Sequence, residues 1–135
     1  MPTIIVDYLR ILIYFLADVC MNYENMTDAE RKYDYERNNQ ICDLTLNGWY
    51  RFQGAAGTKM VTKCPPMERC DTSFPVWLSE DHPTVAEGTV SRKVCVNKYA
   101  CCETSFPIRV KNCGSYSIYK LLYPGDCPAR FCSTD

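Results

Sequence analysis

The sequence predicts a small, disulfide-rich, mostly β domain with one short helix and five disulfides. Three observations carry that prediction. Ten cysteines stand in a chain of 135 residues, a density typical of disulfide scaffolds. The number is even, as complete pairing requires, although ten cysteines allow about 945 pairings. From Leu44 onward, short runs of β-branched and aromatic residues alternate with clusters of Gly, Pro and Asn, and no helical period is sustained.

The N-terminal residues 1–19 contain no cysteine. Arg10 is followed by the uncharged apolar run Ile11-Leu12-Ile13-Tyr14-Phe15-Leu16-Ala17, too short to cross a membrane and at the lower limit of a signal-peptide core. Asp7 departs from the usual basic flank. Residues 1–19 therefore read as a weak signal-peptide-like or mis-started segment, with a buried strand as the alternative. In the polar stretch between Cys20 and Cys42, Thr27-Asp28-Ala29-Glu30 fits a capping box, so a short helix is expected over about 28–38. Its apolar stripe, Ala29 and Tyr33, is thin, which places it on the surface.

Asn47-Gly48 is a two-residue hairpin signal between Leu44-Thr45-Leu46 and Trp49-Tyr50-Arg51-Phe52. Further strands are expected over Lys59 to Lys63, Val90 to Val96, Ile108 to Lys111 and Tyr116 to Leu122. Cys64-Pro65-Pro66, Ser79 to Pro83 and Tyr123-Pro124-Gly125-Asp126 read as turns. Gly54-Ala55-Ala56-Gly57-Thr58-Lys59 has the composition of a phosphate loop but not its Gly-Lys-Ser/Thr order, and Cys-Pro-Pro soon follows instead of a helix. It is read as a turn between strands.

The composition argues against several functions. With 15 basic and 16 acidic residues, nothing favours nucleic acid or an anionic membrane surface. No C-x2-C pair is present, and His82 is the single histidine, so neither a metal site nor a cofactor is expected. A histidine-dependent nucleophile would have to use His82, which sits in the turn-like Glu80-Asp81-His82-Pro83. Asp43, Glu68, Asp71, Glu80, Asp81, Glu87 and Glu103 offer carboxylates, but their spacing singles out no pair. No catalytic residue is assigned, and an enzyme is the weakest reading. Bridged cysteines imply the secretory route. Asn25-Met26-Thr27 is an N-glycosylation sequon, which makes Asn25 a candidate glycan site. The ten tyrosines suit either a recognition surface or the thin core of a stapled module, and both readings stay open.

Gly48-Trp49-Tyr50-Arg51-Phe52, Cys64-x5-Cys70, Pro75-Val76-Trp77-Leu78, His82-Pro83, Gly88-x-Val90-Ser91-Arg92-Lys93-x-Cys95, Cys101-Cys102, Cys113 and Cys127-x4-Cys132 together resemble the uromodulin-type eight-cysteine domain. Cys20 and Cys42 extend the likeness to the longer ten-cysteine form, the decoy module, over residues 20–134. The resemblance implies the bridges Cys20-Cys113, Cys42-Cys127, Cys64-Cys101, Cys70-Cys132 and Cys95-Cys102. It also implies a non-catalytic interaction or adhesion module of a secreted glycoprotein, with an extracellular protein or lectin as partner, no nucleic acid and no direct membrane insertion. A stand-alone secreted defence or inhibitor-like protein is the alternative. In mammalian decoy modules, a mannose-rich glycan between the eighth and ninth cysteines captures a bacterial lectin. The corresponding interval here, Gly114 to Asp126, has no sequon, and Lys120 stands at the asparagine's place. The resemblance therefore does not extend mannose capture to that interval.

Overall fold

The computed structural model describes residues 7–12 and 18–135. Residues 7–12 are helical and exposed, whereas residues 1–6 and 13–17, with most of the apolar run, lie outside the described residues. Among the described residues nine strands form two sheets. They are β1 (Glu24–Met26), β2 (Asn47–Phe52), β3 (Lys59–Met60), β4 (Phe74–Leu78), β5 (Thr89–Val96), β6 (Thr104–Asn112), β7 (Ser117–Leu122), β8 (Ala129–Phe131) and β9 (Ser133–Thr134). Seven make one sheet in the order β1-β2-β7-β6-β5-β4-β8, and β3 pairs with β9 in the second. Mostly β structure and five bridged cysteine pairs are thus the architecture of this chain.

Side chains on successive strand residues point to opposite faces, and the apolar residues obey that period. Tyr50 and Phe52 of β2, Val76 and Leu78 of β4, Val94 and Val96 of β5, Ile108 and Val110 of β6, and Tyr119 and Leu121 of β7 are all buried. They form one core with Met26, Ala56, Met60, Ala129 and Phe131. Between them, Ser91, Arg109 and Lys120 are exposed. One sheet face is therefore packed, and the other is solvated around Ser91, Arg109 and Lys120 but covered at Cys95 and Ile118.

The β5–β6 hairpin pairs Thr89 with Lys111 at one end and Val96 with Thr104 at the other. The expected strands over Val90 to Val96, Ile108 to Lys111 and Tyr116 to Leu122 lie within or largely within β5, β6 and β7. The strand expected over Lys59 to Lys63 shortens to β3, because Val61 leaves the ladder to donate its N–H to the Cys132 carbonyl and accept from Leu78. Gly54–Ala56 is one 3-10 turn between β2 and β3, in line with the turn reading. Gly57 closes it at φ 83°. A Cβ there would lie 2.3 Å from the Thr134 carbonyl oxygen, so the site needs glycine for space as well as for conformation.

Two local expectations change. Asn47-Gly48 makes no hairpin: both residues lie inside β2, with Asn47 opposite Leu122 and Gly48 opposite Leu121 of β7. The distant strand offers a ladder and a core face, whereas Leu44 stays largely exposed, so non-local pairing outweighs the local turn. The segment expected to be helical over 28–38 makes one 3-10 turn, Ala29–Arg31, after which the chain is irregular. Its N-cap residue is Asp28, not Thr27. The backbone beyond is claimed from elsewhere: Lys32 bridges Ser133, and the Tyr33 N–H donates to the Ser133 carbonyl.

Candidate interaction surfaces

The bridges fix which loops can present side chains. The structure joins Cys20 to Cys113, Cys42 to Cys127, Cys64 to Cys101, Cys70 to Cys132 and Cys95 to Cys102. Adjacent Cys101 and Cys102 thereby hold the 97–103 loop to two different places. Trp77 adds a third tie, donating its indole N–H to the Cys101 carbonyl at 2.7 Å. At the tip of this loop Tyr99 is 82% exposed, with φ 67°.

The N-terminal arm is fastened separately. The Arg51 guanidinium lies 3.8 Å from the Tyr116 ring centroid and donates to the Tyr23 hydroxyl at 2.9 Å. Tyr116 donates its hydroxyl to the Cys20 carbonyl at 2.5 Å. These contacts dock β1 parallel to β2, with Asn25 opposite Arg51. β1 is an edge of the sheet. Asn25 is exposed while Met26, the middle of the sequon, is buried in the core. The Asn25 Oδ1 accepts a hydrogen bond from Gln53 Nε2, and that bond leaves Nδ2, the atom that N-glycosylation uses, uninvolved.

His82 is not a free loop histidine. Its Nε2 lies 2.6 Å from the Tyr119 hydroxyl, which also accepts the Met60 N–H at 3.0 Å. A tyrosine hydroxyl has one proton, and among the described hydrogen bonds Nε2 is the acceptor within its reach. A neutral imidazole protonated at Nδ1 lets Nε2 accept the Tyr119 proton. Burial pushes the His82 pKa down, nearby Lys59 pushes the same way, and Asp81 opposes them. Burial likewise pushes the Tyr119 phenol far up, holding its proton. Among the described residues no nucleophile or carboxylate completes this pair; it fastens the 79–88 loop to β7.

The candidate carboxylates are dispersed rather than convergent. Buried Asp43 binds both terminal nitrogens of Arg31, at 2.7 and 3.0 Å, and accepts the Phe131 N–H at 2.8 Å. Arg130 lies against the same carboxylate at 3.8 Å. Asp71 accepts from Asn39, and Glu80 from the Lys93 N–H. Glu87 takes the Thr84 N–H and the Arg92 guanidinium, which hold it below the usual carboxylate range. Glu68, Asp81 and Glu103 are exposed. Among the described residues no three His, Cys, Asp or Glu side chains gather as a metal site. Sequence reading missed the Arg31–Asp43–Arg130 node, because nothing in the spacing ties positions 31 and 43 to 130.

A groove of about 410 Å³ lies on the solvated face over β5, β6 and β7. Thr89, Ser91, Pro107, Arg109, Lys120 and Leu122 are among its walls. Arg109 stands directly opposite Ser91 on one side and Lys120 on the other. Lys120 in turn stands opposite Trp49. A smaller hollow of about 320 Å³ adjoins Tyr23, Asn47 and Trp49. Lys120 drew attention in the sequence as a departure; Arg109 did not, and its alternation with buried Ile108 and Val110 is the signal that places it outside.

Comparison with known proteins agrees with this architecture. Residues 50–133 match the family of uromodulin-like domains with eight cysteines. The chain is 41% identical over 118 residues to mouse uromodulin, covering 86% of this chain and 18% of that protein. It is 38% identical over 118 residues to the dog pancreatic secretory granule membrane major glycoprotein GP2, covering 86% and 23%. The human GP2 glycoprotein is 33% identical over 118 residues, covering 86% and 22%. The chain thus spans about a fifth of these relatives' length. On the match over most of its strands and bridged cysteines, the chain belongs to the uromodulin-like eight-cysteine domain family.

Proposed function

We propose that residues 20–134 form a non-catalytic extracellular interaction module of a secreted glycoprotein, which displays a glycan on Asn25. The bridges Cys20-Cys113, Cys42-Cys127, Cys64-Cys101, Cys70-Cys132 and Cys95-Cys102 hold its binding surfaces rigid. Its partner is an extracellular protein or lectin. Kinship with named glycoproteins of the secretory route supports the setting. The observation that carries glycan display is Asn25 itself: it is exposed on an open sheet edge, with its Nδ2 left out of the Gln53 bond and its neighbour Met26 anchored inside. A glycan there also covers unpaired strand backbone, which would otherwise invite edge-to-edge association. The role is one of contact: the polar clusters described above are consumed in fastening loops, and the exposed features are an aromatic tip, a sheet edge and a groove.

The test is peptide mass spectrometry of protein secreted from eukaryotic cells under a supplied signal peptide. The expected result is the five bridges, no free thiol, and a glycosidase-sensitive mass on the Asn25 peptide that Asn25→Gln removes. Free thiols, another pairing, or an unmodified Asn25 in fully secreted protein would overturn the corresponding part of the reading.

A further inference from the structure

We infer that the groove over β5, β6 and β7 binds an acidic sugar residue of a glycan, through its carboxylate or sulfate. This site is distinct from Asn25 on β1, and goes beyond the display of a glycan to the capture of one. Three observations lead here. Arg109 and Lys120 are cross-strand neighbours, where like charges repel. Both are exposed, and among the described residues neither meets a carboxylate. Two uncompensated cations held side by side are a preformed site for one anionic group, with the planar arginine fork supplying the directional bonds.

The remaining walls state what else the ligand carries. Thr89 and Ser91 offer hydroxyls, while Pro107 and Leu122 offer apolar surface. A pyranose ring with an acidic substituent presents that combination: hydroxyls, an apolar C–H face and a fixed anion. A volume of about 410 Å³ falls in the range of small-ligand sites. An extended acidic peptide fits less well. Arg109 pairs with both Ser91 and Lys120, and Lys120 with both Arg109 and Trp49, so the backbone beneath the two cations is already paired and cannot add a strand there.

The experiment is a nitrogen–proton NMR titration of the intact, oxidised chain. The probes are methyl glucuronide, methyl sialoside, galactose 6-sulfate, galactose and a capped tetraglutamate peptide. The expected result is saturable shifts at Thr89, Ser91, Arg109 and Lys120 with the acidic sugars and none with galactose, weakening as salt rises. A response to the carboxylated or the sulfated sugar alone identifies the anion and supports the site. Arg109→Gln and Lys120→Gln should each weaken binding about tenfold, as expected for one lost charge-assisted bond. Both residues are exposed, and unchanged spectra elsewhere would show that the variants are folded. No shifts with any of the acidic sugars, equal binding of galactose, or tighter binding of tetraglutamate would overturn the proposal. These outcomes are independent of bridge mapping and of Asn25 occupancy.

Discussion

At the scale of single residues, a few side chains and one missing Cβ hold distant segments together. Gly57→Ala would drive a Cβ to 2.3 Å from the Thr134 carbonyl oxygen, at a φ that L residues rarely adopt. The expected cost is about 1–3 kcal/mol, measured as a lower urea midpoint with an unchanged slope. Tyr119→Phe removes the acceptor of the Met60 N–H and the donor to His82 together. Leaving a buried N–H unsatisfied costs about 1–3 kcal/mol, again read from the midpoint. His82 gives the chain a pH dependence whose sign is fixed. Its folded pKa lies below the ordinary value, chiefly through burial, so the unfolded chain binds the proton more readily. Stability from this residue is full above about pH 6.5 and falls as pH drops toward the folded pKa. Urea midpoints at about pH 7 and about pH 5.5 should differ in the native chain, and His82→Gln should flatten that part of the profile. An unchanged profile in the variant would mean that other groups produce the slope.

At the scale of elements, strands were legible where their own residues alternate, and obscure where partners decide. Val90 to Val96 and Tyr116 to Leu122 read correctly because β-branched and aromatic residues are concentrated in both. Leu44-Thr45-Leu46 carried the same local signal, yet it is not a strand, since β7 took the place opposite Asn47. β4 was read only as a motif: Pro75 masked a strand that lies between β5 and β8. β1, β8 and β9 have three residues or fewer, too short for any period to register. The capping pattern at Thr27–Glu30 forms no cap, since the N-cap is Asp28 without a side-chain bond, and Arg31 is drawn instead to Asp43. That attachment gives a prediction for the whole segment. Asp43→Ala leaves Arg31 buried with no carboxylate beside it, and leaves Arg130 with the exposed Asp28 as its ion-pair partner. The expected cost is about 3–5 kcal/mol. Hydrogen exchange should show the 29–33 segment and β8 opening together, because both depend on the same carboxylate. Protection that persists in β8 would show that the two are not coupled through Asp43.

At the scale of the whole molecule, the cysteines announced a stapled β module, and the family resemblance supplied a pairing that composition alone left open. The groove could not be read from sequence at all. It depends on the register that sets Arg109 against Lys120, and the pairing register of two strands leaves no local trace. Bridge removal should be graded by the chain each bridge spans. Cys20 and Cys113 are 93 residues apart, whereas Cys95 and Cys102 are 7 apart. The chain-entropy relation gives about 4.6 and about 2.4 kcal/mol for loops of those lengths. Paired Cys→Ser substitution of the first bridge should therefore lower the thermal midpoint about twice as much as that of the second. Equal losses would mean that local packing, rather than chain entropy, sets the contribution of each.

The position of β8 and β9 has a consequence for the time at which this domain can form. Arg130, Phe131, Cys132 and Ser133 are buried, and the two strands pair with β4 and β3. Residues synthesised late in the domain thus lie among its most enclosed. While they are still inside the ribosome, β4 lacks one neighbour, β3 lacks its partner, and the thiol of Cys70 lacks the cysteine it will join. Folding must then wait until these residues emerge, and the early thiols must be kept from joining one another in the interval. A chain halted at Ala129 should accordingly remain associated with the oxidative folding machinery, while one extended to Asp135 leaves it.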